Sequence, residues 1–262
     1  MKIIFLGDIS WKIGREAVAQ AIPELRTKYQ PDIIVANVEN AAHGTGIEKR
    51  QYDFFKECGI DAMTSGDHVF DKSHVDEIFS SPNCTLIRPA NYPAMADVPG
   101  NGYMVAQTKA GPLGIINLQG RVFMSEGMDN PFWIIQDILN KPELQGIPIV
   151  VDFHGEATSE KVAMGWMLDG KVSAVVGTHT HVQTNDARIL PKGTAYITDV
   201  GMCGPRDGVL GVDKNIIMNR FLNALPSKFN QDESEGMING VYIELDGSQA
   251  LSIKPVYTII KL

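Results

Sequence analysis

The feature that most constrains this chain is a repeated pattern: short apolar runs that each stop at a polar, chemistry-bearing cluster. Residues 2–6 lead to Gly7-Asp8, residues 33–38 to Glu39-Asn40, and residues 61–64 to Gly66-Asp67-His68. Later, residues 147–153 lead to His154, and residues 172–176 to Gly177-Thr178-His179-Thr180-His181. Runs this short, bounded by turn residues and rich in Ile and Val, read as buried strands. The first three alternate with helical periodicity at 15–29, 48–58 and 73–79. That βαβαβα order predicts a largely parallel sheet covered by helices. Further strands are expected at 114–118, 194–198, 240–245 and 251–260, and helices at 131–139, 158–168 and 214–224. So many strands favour two packed sheets over one wide one. A chain of 262 residues fits a single domain, 1–262.

Ligands of open α/β sheets bind beyond the carboxyl ends of the strands. Parallel strands would gather Asp8, Glu39, Asn40, Asp67, His68, His154, His179 and His181 at one such edge. The set holds carboxylates, a carboxamide and imidazoles, with no thiolate. It suits Mn, Fe or Zn better than an all-oxygen Mg or Ca cage. It also exceeds what one tetrahedral zinc needs. Two ions ~3.5–4 Å apart, sharing a carboxylate, would use it, and such pairs hydrolyse phosphoesters. In an extended segment residues i and i+2 face the same side, so His179 and His181 would share a cleft. Serving two ions calls for a turn there, which Gly177 would ease.

Composition narrows the substrate. The formal net charge of −8 argues against an extended grip on nucleic acid, which needs Lys/Arg stripes. A small phosphate ester held by cations remains compatible. Cys58, Cys84 and Cys203 are too few and scattered for a disulfide framework, which points to a reducing cytoplasm. No stretch approaches the ~18 apolar residues of a membrane span, and the N-terminal apolar run is too short for a signal-peptide core. His43 sits in a glycine-bearing loop, where it either faces substrate or is solvated; His74 reads as a surface residue. Arg121 and Arg206 read equally well as phosphate contacts or surface ion pairs.

The order of these motifs resembles the calcineurin-like metallophosphoesterases, and within them the bacterial YmdB-like branch. The similarity runs through Gly7-Asp8, Glu39-Asn40-Ala41-Ala42-His43-Gly44, Arg88-Pro89-Ala90-Asn91 and Asn117-Leu118-Gln119-Gly120-Arg121. It continues through Asp152-Phe153-His154, residues 156–161, residues 176–184 and residues 197–202. The resemblance implies a four-layer α/β/β/α sandwich of two packed, mixed sheets flanked by helices. It implies a cytoplasmic di-metal phosphodiesterase acting on 2′,3′-cyclic nucleotides or a related small phosphodiester. Carried over by residue, one metal would be held by Asp8, Glu39, Asn40 and His181. The second would be held by Glu39, Asp67, His154 and His179, with Glu39 bridging and His68 as general acid. Iron or manganese is expected, with zinc open; a homo-oligomer is compatible with the sequence, which carries no periodic interface signature to fix its order.

Two positions depart from the superfamily pattern. Ile9-Ser10 follows Asp8 where Asp-x-His is common, and Asn40 fills that vacancy. Gly66-Asp67-His68 stands where Gly-Asn-His is usual. The extra negative charge predicts a higher pKa for the attacking water, a less electrophilic second metal and a preference for a more highly charged ion such as ferric iron. Two other functions stay open on the sequence: a broad phosphomonoesterase, and a regulatory protein that binds metal and RNA with weak catalysis.

Overall fold

The computed structural model describes residues 1–124 and 127–262. In chain order the elements begin β1 (Lys2–Leu6), β2 (Asp8–Ile9), α1 (Trp11–Tyr29), β3 (Ile33–Asn37), α2 (Lys49–Cys58), β4 (Ala62–Thr64) and α3 (Val75–Phe79). Next come β5 (Tyr103–Thr108), β6 (Gly111–Gln119), α4 (Pro131–Leu139), β7 (Ile149–His154), α5 (Thr158–Leu168) and β8 (Ala174–Thr178). The chain closes with β9 (Arg188–Ile189), β10 (Ala195–Ile197), β11 (Met202–Pro205), α6 (Lys214–Asn223), β12 (Gly236–Asp246) and β13 (Gln249–Ile260).

Among the described residues these strands form two mixed sheets. One has the order β2-β11-β12-β1-β3-β4, with β13 also paired to β12. The other has the order β5-β6-β7-β8-β10-β9. Within the first, β1, β3 and β4 are parallel; within the second, β6, β7, β8 and β10 are parallel.

The period-2 alternation of each strand builds the layers. Ile3, Phe5, Ile33 and Val35 point inward and meet Ile115, Val150, Val176 and Ile197 of the other sheet. Ile4, Leu6, Ile34 and Ala36 point outward onto Val18, Ile22 and Leu25 of α1 and Phe55 of α2. On the far side, Val151, Phe153 and Val175 pack against Ile135 of α4 and Met164 and Leu168 of α5. Three apolar layers between four layers of structure give the α/β/β/α sandwich expected from the sequence.

Toward the carboxyl ends the inward positions turn polar. Asn37, Thr64, Asp152 and Thr178 continue the inward series and are fully buried. Asn37 Nδ2 and Thr64 Oγ1 donate to Asp152 Oδ2 at 3.1 and 2.5 Å, and Thr178 Oγ1 donates to Asp152 Oδ1 at 2.7 Å. A buried carboxylate is costly unless its lone pairs are occupied; here donors from both sheets occupy them. Burial pushes the Asp152 pKa up, against the charge of His154 and these hydrogen bonds. The rung ties the sheets together beneath the polar edge.

Several elements differ from the sequence reading: the short strands β2, β9 and β11 fall where none is expected, and β6, β12 and β13 begin earlier than the expected 114, 240 and 251. Helix α1 starts at Trp11, not at residue 15, because its first turn packs Ile13 and Gly14 rather than a regular apolar stripe. Strand β5 is a longer strand the sequence does not predict; it is mostly half-exposed and, among the described residues, pairs only with β6, so its apolar alternation is weak.

Candidate metal centre

The end of β7 places His154 with no solvent exposure. Its Nδ1 lies 2.8 Å from Thr178 Oγ1. That hydroxyl donates to Asp152, so it accepts from His154 Nδ1–H and turns Nε2 toward the site. Nε2 is 3.1 Å from Glu39 Oε1, 3.2 Å from Asp67 Oδ1 and 3.1 Å from His179 Nδ1. Glu39, Asp67, His154 and His179 each offer one ligand atom, and these atoms lie within 4.8 Å of one another. Only glycine fits beside them: a Cβ on Gly66 would stand 2.2 Å from Glu39 Oε2 and 2.3 Å from the His154 ring.

The electrostatics of the cluster are those of an anionic pocket. Burial alone would push the His154 pKa down, yet Glu39, Asp67 and Asp8 outweigh it and the net shift is well upward. The same contacts, above all with His154, hold Asp67 below the usual carboxylate range although burial opposes them. His179 behaves oppositely: burial and the neighbouring His154 charge push it down to about 4. Its Nε2 lies 3.2 Å from Glu156 Oε2. A carboxylate partner there leaves Nδ1 as the free lone pair facing the cluster.

Asp8, Asn40 and His181 stand on the other side. Asp8 is fully buried, and burial raises its pKa well above the ordinary value. Its Oδ2 accepts the His179 backbone N–H at 3.1 Å; its Oδ1 has no hydrogen-bond partner among the described residues. Asn40 Nδ2 donates to Gly44 O at 3.0 Å, which aims Oδ1 at His181 Nε2, 3.1 Å away. An orphaned buried carboxylate oxygen is costly. Together with converging nitrogen and oxygen donors it fits a cation, and the donor set suits Fe, Mn or Zn.

The turn that separates the two histidines is not made by Gly177. His179 (φ 100°) and His181 (φ 65°) themselves adopt left-handed backbone, which is strained for residues with side chains. Gly177 serves a different need: a Cβ there would stand 1.8 Å from Thr198 O. Thr180 anchors the turn by donating its N–H and hydroxyl to Asp199 Oδ2 at 3.0 and 2.7 Å. Lys161 Nζ donates to the same oxygen at 2.6 Å, and Oδ1 accepts from Gly201 N–H at 2.8 Å. Lys161 and Asp199 are both fully or almost fully buried.

His68 lies in the loop after β4. Its N–H donates to Glu39 Oε2 at 3.2 Å, and its Nδ1 donates to Asp71 Oδ2 at 2.7 Å. It lines a cleft of about 540 Å³ with Glu39, Asn40, His179, His181 and His43. His74 is exposed and pairs with Glu77, and Arg206 pairs with Glu235 and Asp207 on the surface.

The sequence reading assigns no role to Asp152, Glu156, Lys161, Thr178 or Asp199, although each lies in a stretch that carries the family resemblance. Its available signal was a carboxylate inside an otherwise apolar strand, as in Ile149–His154, because a buried charge without a partner is costly.

A family model described as "YmdB-like protein" matches residues 4–256. The 2′,3′-cyclic-nucleotide 2′-phosphodiesterase of Bacillus subtilis (strain 168) is 46% identical over 255 residues, spanning 97% of this chain and 95% of that protein. A hypothetical protein from Thermus thermophilus superposes with a TM-score of 0.92 at 35% identity, covering 100% of both chains. A novel phosphatase from Mycoplasma pneumoniae superposes with a TM-score of 0.92 at 34% identity, covering 99% of this chain and 93% of the other. With a matching fold over the full length and a family match across nearly all of it, this chain belongs to the YmdB-like protein family.

Proposed function

We propose that this protein is a di-metal phosphodiesterase that hydrolyses 2′,3′-cyclic nucleotides or a related small phosphodiester. The carrying observation is the convergence of Glu39, Asp67, His154 and His179, in a chain that shares 46% identity with a cyclic-nucleotide phosphodiesterase. Glu39, Asp67, His154 and His179 would hold one cation; Asp8, Glu39, Asn40 and His181 would hold the other. Iron or manganese suits this set best, with zinc as the next choice. When bound, such cations neutralise charge on the phosphate and make water a better nucleophile near neutral pH. The protein supplies the rest. His154 and His179 are held in their tautomers by Thr178 and Glu156. Asp71 fixes the His68 ring, leaving Nε2 to give a proton to the departing ribose oxygen. We further propose that residues 1–262 act as one catalytic domain in the cytoplasm. That placement rests on three unpaired cysteines.

The experiment compares His68→Ala with the parent on two diesters. Adenosine 2′,3′-cyclic phosphate has a poor alkoxide leaving group, and bis(p-nitrophenyl) phosphate has a good one. A general acid matters for the first, by roughly 10²–10⁴-fold, and much less for the second. Equal losses on both would remove His68 from that role; no turnover of the cyclic nucleotide by metal-loaded parent would remove the function.

A further inference from the structure

The cleft that holds the metal-site residues has a second wall of different character. Trp11, Leu210, Val212 and Phe229 line it together with the polar cluster. Leu210 and Phe229 are 49% and 41% exposed, so they form an open apolar surface directly continuous with Asn40, His179 and His181.

Trp11 is held on this wall by unusual means. It is the first residue of α1, yet its φ is 65°, a conformation that a bulky side chain rarely adopts. Its N–H donates to Asn40 O at 3.2 Å, which ties the indole to a proposed metal ligand. Gly44 and Gly211 flank the ring, both at positive φ: a Cβ on Gly44 would stand 2.7 Å from indole Cζ2, and one on Gly211 3.0 Å from Cδ1. The fold therefore keeps two side chains off the indole and accepts backbone strain to present it in the cleft. Strain of this kind collects at ligand sites. Phe229 carries the Arg220 guanidinium at 5.0 Å from its centroid. Ser10, also lining the cleft, has a fully buried hydroxyl with no partner among the described residues.

We propose that Trp11 and Phe229 form the nucleobase subsite of this protein, so that the base stacks on an aromatic wall while the cyclic phosphate faces the metal-site residues. The proposal rests on the phosphodiesterase reading and adds what that reading lacks, a reason to prefer nucleotides over other diesters. An aromatic face takes any base, because every base has a π-face, so this wall predicts broad base tolerance. The cleft volume falls within the ~300–1,000 Å³ range of small-ligand pockets.

The test uses the metal-loaded full chain and two substrates with the same reacting ring. One is adenosine 2′,3′-cyclic phosphate; the other is 1-O-methylribose 2′,3′-cyclic phosphate, which has no base. The expected result is that Phe229→Ala and Trp11→Ala each lower the ratio of kcat/KM for the first to kcat/KM for the second by roughly tenfold, the size of one base–aromatic stack. The change should fall mainly in KM, and Trp11→Phe should recover part of it. A ratio unchanged from the parent in Phe229→Ala would overturn the subsite, even if Trp11→Ala fails to fold. A separate readout needs no turnover. Adenosine 3′-monophosphate should quench the tryptophan fluorescence of the parent and not that of Trp11→Phe. Turnover failure with quenching intact would sink the catalytic reading and spare the subsite; absence of quenching would sink the subsite.

Discussion

His154 and the His179–His181 pair reach the same site by different routes. His154 is the last residue of a regular strand, and register alone delivers it. The other two lie beyond their strand at positive φ. The first needs only a hydrogen bond from Nδ1 to Thr178; the second pair needs a buried Lys161–Asp199 ion pair to grip the residue between them. A strand end places a ligand through packing that the fold requires anyway. A strained turn has to be held by groups that serve little else.

That contrast breaks most sharply at Lys161. Lys161→Met leaves Asp199 charged, buried and unpaired, which costs about 3–5 kcal/mol. Urea unfolding should show a loss of that size. Asp199→Asn keeps the shape but leaves Lys161 buried without its counter-ion, so it should also lose stability and loosen the turn. Calorimetric titration with Mn²⁺ should show both sites weakened about 10–100-fold, the usual effect of losing an outer partner, because the turn carries a proposed ligand of each. Thr178→Val on the strand side should cost less than Asp199→Asn, because register still places His154. Equal losses in the two variants would erase the distinction between the routes.

The same contrast explains what is legible in the sequence. The strands that carry the proposed ligands are readable because their alternation is dictated by two cores, as in Ile3, Ile4, Phe5 and Leu6. The donors at their ends are readable because each follows an apolar run. The anchors are not. Asp152 looks like one polar residue in a strand, and its partners Asn37, Thr64 and Thr178 come from three other strands. Lys161 and Asp199 are 38 residues apart and meet only because α5 and the segment after β10 converge. The sequence predicts the turn but points to Gly177 for it, since glycine is the usual carrier of positive φ; the histidines take that conformation themselves.

Asp67 sharpens the comparison from within the cluster. Asp67→Asn removes one negative charge where Glu39 and His154 already meet. The variant should be several-fold faster, since a shift of one pKa unit corresponds to about 1.4 kcal/mol, and its pH–rate profile should move to lower pH. A profile that stays in place would show that the charge at this position does not control the reaction.

The smallest expected effect is on stability in the metal-free protein. The folded-state pKa of His154 is raised above its ordinary value of 6.5. A raised histidine contributes stability that is fully present below that value and is lost as pH rises through the folded pKa. Asp8, also raised, has the same sign, losing stability as pH rises above the ordinary carboxylate range. His179 and His181 are lowered and carry the opposite sign up to the ordinary histidine range, so metal-free protein should melt at lower temperature as pH is taken upward from about 7, above that range. Metal-loaded protein should not follow, because cation binding requires His154 neutral at Nε2 and releases the proton.

The most direct test of the account is to strip the protein with chelator, reload it with Mn²⁺ or Fe²⁺, and measure bound metal and cyclic-nucleotide hydrolysis on the same sample. The account predicts two equivalents per chain, with hydrolysis returning as the second equivalent binds. Full loading without hydrolysis, or hydrolysis by protein that holds no metal, would contradict it.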